Sequence, residues 1–463
     1  MAAINRIQIG LPKPGVKPEG PPQPALTREQ VAQLTAKPDE FSISDAFDER
    51  RTAFDRKVTD ARDRLATEPF VPATPRPLKP LASPGFWQNV WEKVKKAGAW
   101  CLEQLGRFVN WYRQGVQWLL YGISFQDFKT RKVYDEPGDS NHIYWNELQQ
   151  SKKDVEAHKP AETAAFGNLS SADQDRYARL VALTEPTPGN KVGNPAARRA
   201  LQKMLLDGRL TAGAAYNGAS GSLLSALSGI AAADKPLASG IDRSKLVCET
   251  LLEAENPTRI NQQARGTCAA TTAIIVLAKK NPFGFVNVVG DLASPAGKAK
   301  LPGGAEIERK ADWANNDDGD RSIPQRLFAP AIMELGGPFW GLPTYDNSSD
   351  SHKVGPVPVG GGMFSGGSAY VNTQLQGVKY DSNTFFHWNR DAEWQEIKDA
   401  LASGKTLIPV GVMWAEDGIQ GGHELHIEKI EAGKVYYHNP WGLRETMEEG
   451  EFKAHITSAE IPR

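Results

Sequence analysis

The sequence predicts an α+β protein, and three observations predict it. Apolar residues recur at helical spacing through the middle of the chain. Alternating and β-branched runs gather near the C-terminus around a tight turn, Glu431-Ala432-Gly433. The opening tract is rich in proline and fits neither pattern.

With 463 residues the chain has room for two or three domains. A formal net charge of −1 excludes a general electrostatic grip on nucleic acid, which needs many unbalanced Lys and Arg. The three cysteines, Cys101, Cys248 and Cys268, are too few and too odd in number for a disulfide framework, and fit a reducing compartment. No basic stretch followed by an apolar run opens the sequence. The expectation is therefore synthesis in the cytoplasm without a cleaved signal peptide.

Residues 1–80 form a disordered leader. Of the 32 prolines, 13 fall in the first 85 residues. Proline at that density removes backbone donors and fixes φ, which favours extended coil. Residues 81–160 hold a tryptophan-rich amphipathic helical region. Ser83 caps and Pro84 sits at its first position, and Trp87, Trp91, Val94, Cys101, Leu105, Phe108, Tyr112 and Leu119 then recur at steps of three and four, with Gly98 and Gly115 filling two of the steps. Lys93, Lys95, Lys96, Arg107 and Arg113 make the 83–125 stretch basic. Such a helix packs on its own protein, docks on a partner (a secretion-system component, a chaperone or an immunity protein) or makes peripheral contact with a membrane. From 126 to 160 the chain is polar and carries no clear signal.

Residues 161–247 read as an alanine-rich helical region. Asn194, Pro195 and Gly208 bracket one helix as cap, first-turn proline and terminal glycine. Residues 211–240, small in composition, read as a linker with a short helix.

Residues 248–463 carry the chemistry. Gly266-Thr267-Cys268 precedes the run AIIVLA (273–278) and Lys279-Lys280, which predicts a helix from Cys268 to Lys280. Cys268 at its N-terminus meets free backbone N–H groups and the positive end of the dipole, which favour the thiolate. A chain folding back through Gly266 brings the Gln262 amide beside the thiol as an oxyanion donor, in preference to Gln263. Downstream, residues 392–403 read as a helix and 407–414 as a buried strand. After a glycine loop at 418–422, which includes Gly422, the strand 423–430 turns at 431–433 into the strand 434–438. This hairpin places His423 near Asn439, which fixes the imidazole tautomer, while Trp441 covers that bond. His426 points to the opposite face from His423, with Cys268 the only sulfur nearby, so a His-x-x-His metal pair is disfavoured, and no metal and no cofactor is expected. Residues 355–368 read as a cleft or surface loop. Asn315-Asn316-Asp317-Asp318-Gly319-Asp320 lacks the ligand spacing of an EF-hand and reads as a polar loop.

In order, Gln262, Cys268, His423, Asn439 and Trp441 resemble the papain-like cysteine peptidases. Asn439-Pro440-Trp441-Gly442 is similar to calpain-type members, and Gly421-Gly422-His423 with that tail looks like the peptidase domains of bacteriocin-processing transporters. Ala269 departs from the pattern, since papain and calpain members have tryptophan there. The resemblance implies a two-lobed catalytic domain, with a helical lobe carrying Cys268 and an antiparallel β lobe carrying His423 and Asn439. It also implies a thiol endopeptidase acting on protein substrates through a Cys-His-Asn triad. Transglutaminase, deamidase or other acyltransferase activity would use the same triad. A non-enzymatic adaptor working through the tryptophan-rich helix is the reading from another class. Leader, amphipathic helix and C-terminal peptidase together resemble a bacterial toxin or effector that is secreted or injected into a target cell.

Overall fold

The computed structural model describes residues 127–186, 193–314, 321–337, 345–354, 357–416 and 419–463. All of them belong to one compact unit. The leader at 1–80, the tryptophan-rich stretch 83–125 with Cys101, and the polar loop 315–320 lie outside the described residues. The architecture is α+β, as the sequence predicts, with a helical core and a core formed on one antiparallel sheet.

Among the described residues, nine helices build the first core. They are α1 (Trp145–Gly167), α2 (Ser171–Thr184), α3 (Pro195–Leu206), α4 (Leu223–Ala231) and α5 (Arg243–Glu255). Then follow α6 (Cys268–Lys280), α7 (Pro282–Ala293), α8 (Ile323–Leu335) and α9 (Ser365–Gln376). Local chemistry sets several of their starts. Asn194 accepts from the Ala197 amide at 2.9 Å with Pro195 at the first position, and Asn281 with Pro282 and Ser322 with Pro324 repeat the device. Gly208, just past α3, takes φ +79°, as its predicted role requires.

α6 is the centre of this core. Every residue from Cys268 to Ala278 is buried, because α5, α7, α8 and α9 surround it. Burial on all sides explains why the apolar run lacks a single helical stripe.

Three readings of the sequence need correction here. Residues 211–240 hold the expected short helix but are otherwise not a linker. They form a hairpin, Gly213–Tyr216 with Ala219–Ser222, followed by α4, whose Leu223, Leu224 and Leu227 are buried. The start of the C-terminal region at residue 248 falls inside α5, whose buried Leu246, Val247, Leu251 and Leu252 pack in the same core as α3 and α6. The polar stretch 126–160 contains both a strand and most of α1, whose helical pattern is weak because few of its residues are buried.

The sheet has seven strands: β1 (Lys132–Asp135), β2 (Tyr380–Thr384), β3 (Ile408–Glu416), β4 (Ile419–Glu431), β5 (Lys434–Asn439), β6 (Leu443–Glu448) and β7 (Ile456–Pro462). Their order is β1-β6-β5-β4-β3-β7-β2, with every neighbouring pair antiparallel. Leu425, Ile427, Val410 and Tyr437 form one buried face with Trp394 and Ile397 of α10 (Arg390–Ala402) and Phe452 of α11 (Glu449–His455).

The β4–β5 turn is as predicted: Ala432 and Gly433 take φ of 51° and 74°, the left-handed pair of a two-residue hairpin. The predicted glycine loop 418–422 is not a loop. β4 already runs from Ile419, and Gly421 and Gly422 pair with Trp414 and Met413 on β3. The predicted loop 355–368 is also largely ordered backbone, with a strand at Val357–Gly360 and the start of α9 at Ser365. Among the described residues, no helix is long and apolar enough to cross a membrane.

Candidate active site

The hairpin register sets the first part of the site. His426 pairs with His438 and Ile427 with Tyr437, so extending the ladder brings residue 423 opposite residue 441. The His423 and Trp441 rings stack with centroids 4.4 Å apart and planes at 19°, and Trp414 meets both rings edge-on. Diagonally across the hairpin, His423 Nε2 donates to Asn439 Oδ1 at 2.9 Å. That bond assigns the proton to Nε2 and leaves Nδ1 as the basic nitrogen.

Asn439 is itself fixed. Its Oδ1 also accepts from the Trp441 amide at 3.3 Å, and its Nδ2 donates to Glu445 Oε2 at 3.3 Å. Glu445 is fully buried and bound by Arg131 at 2.5 Å. The predicted orienter and the predicted cover therefore form one assembly with His423.

Cys268 stands at the first turn of α6, as predicted, and is buried. The backbone N–H groups of Glu424, Ala269 and Cys268 itself act on the sulfur in the sense that favours the thiolate. Glu424 follows His423 directly on β4, and Thr272 of α6 donates to the Glu424 carbonyl at 3.1 Å. Helix and strand thus bring the thiol to the peptide beside His423. No hydrogen bond joins Cys268 to His423 in this arrangement.

The expected low thiol pKa is not met. Burial, and then the charge of Glu424, push Cys268 up to about 12, outweighing the three N–H donors. Burial pulls His423 down to about 4. The pair at rest is neutral thiol and neutral imidazole. The other described cysteine, Cys248, is also pushed up to about 12 by burial, as suits an inert core residue.

Gln262 is buried beside the site. Its Nε2 donates to the Arg265 carbonyl at 2.7 Å, and its Oε1 has no partner. Gln263 is turned away, with its Nε2 on Asp139 at 2.6 Å. The left-handed residue of this loop is Gln263, at φ 56°, and not Gly266. Gly266 serves differently: its N–H donates to Asp350 Oδ2 at 2.6 Å, which ties the loop to the strand pair at 345–354. Gly422 lies within β4 and contributes backbone pairing only.

Four residues near this site carried no sequence signal. Asp139 accepts from both Asn261 and Gln263. Glu424 lies next to the thiol, is bound by Ser368 at 2.6 Å, and is pushed up to about 7 by burial. Arg131 and Glu445 hold Asn439. The partners of Asp139 and Arg131 lie more than 100 residues away, and Glu445 meets Asn439 only because β5 and β6 pair, so no local period reveals them.

Comparison with protein-family models and with curated proteins returns no match.

Proposed function

We propose that the chain is a thiol acyl-transfer enzyme of papain-like type, acting as a cysteine endopeptidase on protein substrates. The observation that carries this reading is the His423–Asn439 bond at 2.9 Å under the Trp441 ring, next to the peptide that also reaches Cys268. An imidazole fixed at Nε2 by a neutral amide has Nδ1 free for proton transfer, the role such chemistry needs.

In this mechanism His423 Nδ1 takes the thiol proton as substrate binds. The sulfur attacks the peptide carbonyl. The resulting oxyanion accepts from the Cys268 N–H and from the second N–H of the Gln262 amide. His423 then protonates the leaving amine, a thioester remains on Cys268, and water, deprotonated by His423, releases the acid. Neutral resting partners make proton transfer part of the attack itself.

Proteome-wide labelling of new N-termini after treatment with the wild-type protein and with Cys268→Ala tests this reading. The expected result is cleavage by the wild type alone. Mass shifts at glutamine without new N-termini would move the reading to a deamidase or transglutaminase, and cleavage by Cys268→Ala would end it.

A further inference from the structure

The face of β4 opposite His423 holds a second cluster. His426 and His438 face each other across the hairpin, both fully buried, with ring centroids 5.1 Å apart. Neither nitrogen of His438 has a hydrogen-bond partner, nor does Nδ1 of His426. The register shifts between Ile427 and Lys429, so Glu428 is an extra residue on its strand. Such a bulge re-aims a side chain. One ligand atom from each of His426, Glu428 and His438 lies within 4.8 Å of the others.

A cation already stands there. Lys279, in the last turn of α6, places Nζ 3.2 Å from His426 Nε2 and 2.5 Å from Glu428 Oε1. The other oxygen of Glu428 is held by Arg444 at 2.8 Å and by Tyr134 at 3.2 Å. Lys279 satisfies one nitrogen of the histidine pair and leaves three unsatisfied. Burying those without partners is costly.

We infer that His426, Glu428 and His438 form a binding site for a divalent transition-metal ion, zinc first, which Lys279 occupies as an internal competitor. Two imidazoles and one carboxylate are a ligand set that zinc accepts, with solvent able to fill a fourth position. Arg444 and Tyr134 would orient the carboxylate from behind. Binding turns Lys279 outward with its proton retained; its side chain and that of Glu428 are 15% and 12% exposed, which gives the ion a way in. The ion would staple β4 to β5 one residue from Asn439, on the face away from His423, so its role is to stiffen the hairpin and not to act on substrate. This inference stands on its own residues and does not require the proposed peptidase activity.

Titration of the metal-free full chain with Co²⁺, followed by zinc competition, tests it. The expected result is one equivalent with d–d absorption bands and no sulfur-to-cobalt charge-transfer band, which separates this site from Cys268. Lys279→Met should bind at least about tenfold more tightly, and Glu428→Gln and His438→Ala at least about tenfold more weakly. If His438→Ala fails to fold, the Lys279→Met and Glu428→Gln arms decide. A charge-transfer band, no binding by Lys279→Met, or affinity unchanged in Lys279→Met or Glu428→Gln would overturn the inference.

Discussion

The Gln262 backbone N–H donates to the Pro440 carbonyl at 2.8 Å, so the loop that leads into Cys268 is bonded to the loop that follows Asn439. A short bridge between Asn261 and Trp441 adds to it, and Asn261 Nδ2 donates to the Trp441 carbonyl at 2.9 Å. Gly442 completes the join: it takes φ +75°, and a methyl there would sit 3.1 Å from Asn261 Nδ2. The helical and β cores are thus tied at the candidate site itself. Asp139 braces the tie from a third segment by accepting from Asn261 and Gln263. Asp139→Ala should leave two amide groups short of a partner and lower stability by about 1–3 kcal/mol. The urea midpoint measures it, and turnover should fall with it.

Asn439 is the fixed point of the imidazole. Asn439→Ala removes the acceptor of His423 Nε2 and frees the ring to change tautomer. Turnover should drop roughly 10²-fold with KM little changed. A large change in KM alone would instead place Asn439 in substrate binding.

Glu424 sets the thiol. Its charge is the second cause, after burial, of the raised Cys268 pKa. Glu424→Gln should therefore shift the pH midpoint for alkylation of Cys268 downward by on the order of one unit. Rates of iodoacetamide modification against pH, with peptide mapping, measure it.

The imidazole also predicts an acid limit. The folded pKa of His423 lies at about 4, below its usual 6.5. Below pH 6.5 the unfolded chain takes up a proton that the folded chain refuses until about pH 4. Stability is therefore full above 6.5 and is lost as pH falls through this window, by at most about 1.4 kcal/mol per pH unit for one such group. Glu424 runs the other way: raised to about 7, its contribution is full below 4.5 and lost as pH rises through 7. His423→Gln should flatten the acid side of a urea-midpoint profile between pH 7 and pH 4, and His426 and His438, also depressed by burial, should keep part of the slope.

The sequence carried what local pattern can carry. α6 begins and ends where Cys268 and Lys280 predict, because a nucleating turn and a basic last turn are local signals. The hairpin brought His423 to Asn439 because one two-residue turn fixes the whole register. The raised thiol pKa is not legible locally, because dipole and donors are visible beside Cys268, whereas Glu424 comes from a distant strand and the burial from the helices that surround α6. Gly421 and Gly422 suggest a loop because glycine is weak in strands; pairing with Trp414 and Met413 overrides that preference. The stretch 127–144 gave no pattern, since β1 and Asp139 gain their meaning only from β6 and from Asn261.

On the proposed function, Cys268 is a nucleophile served by His423. Intact-mass analysis after incubation with a peptidyl vinyl sulfone, followed by peptide mapping, tests it most directly. The expected result is a single adduct on Cys268, none on Cys248, and labelling slowed by at least about 10²-fold in His423→Ala. Equal labelling of Cys268 with and without His423, or preferential labelling of another cysteine, would contradict it.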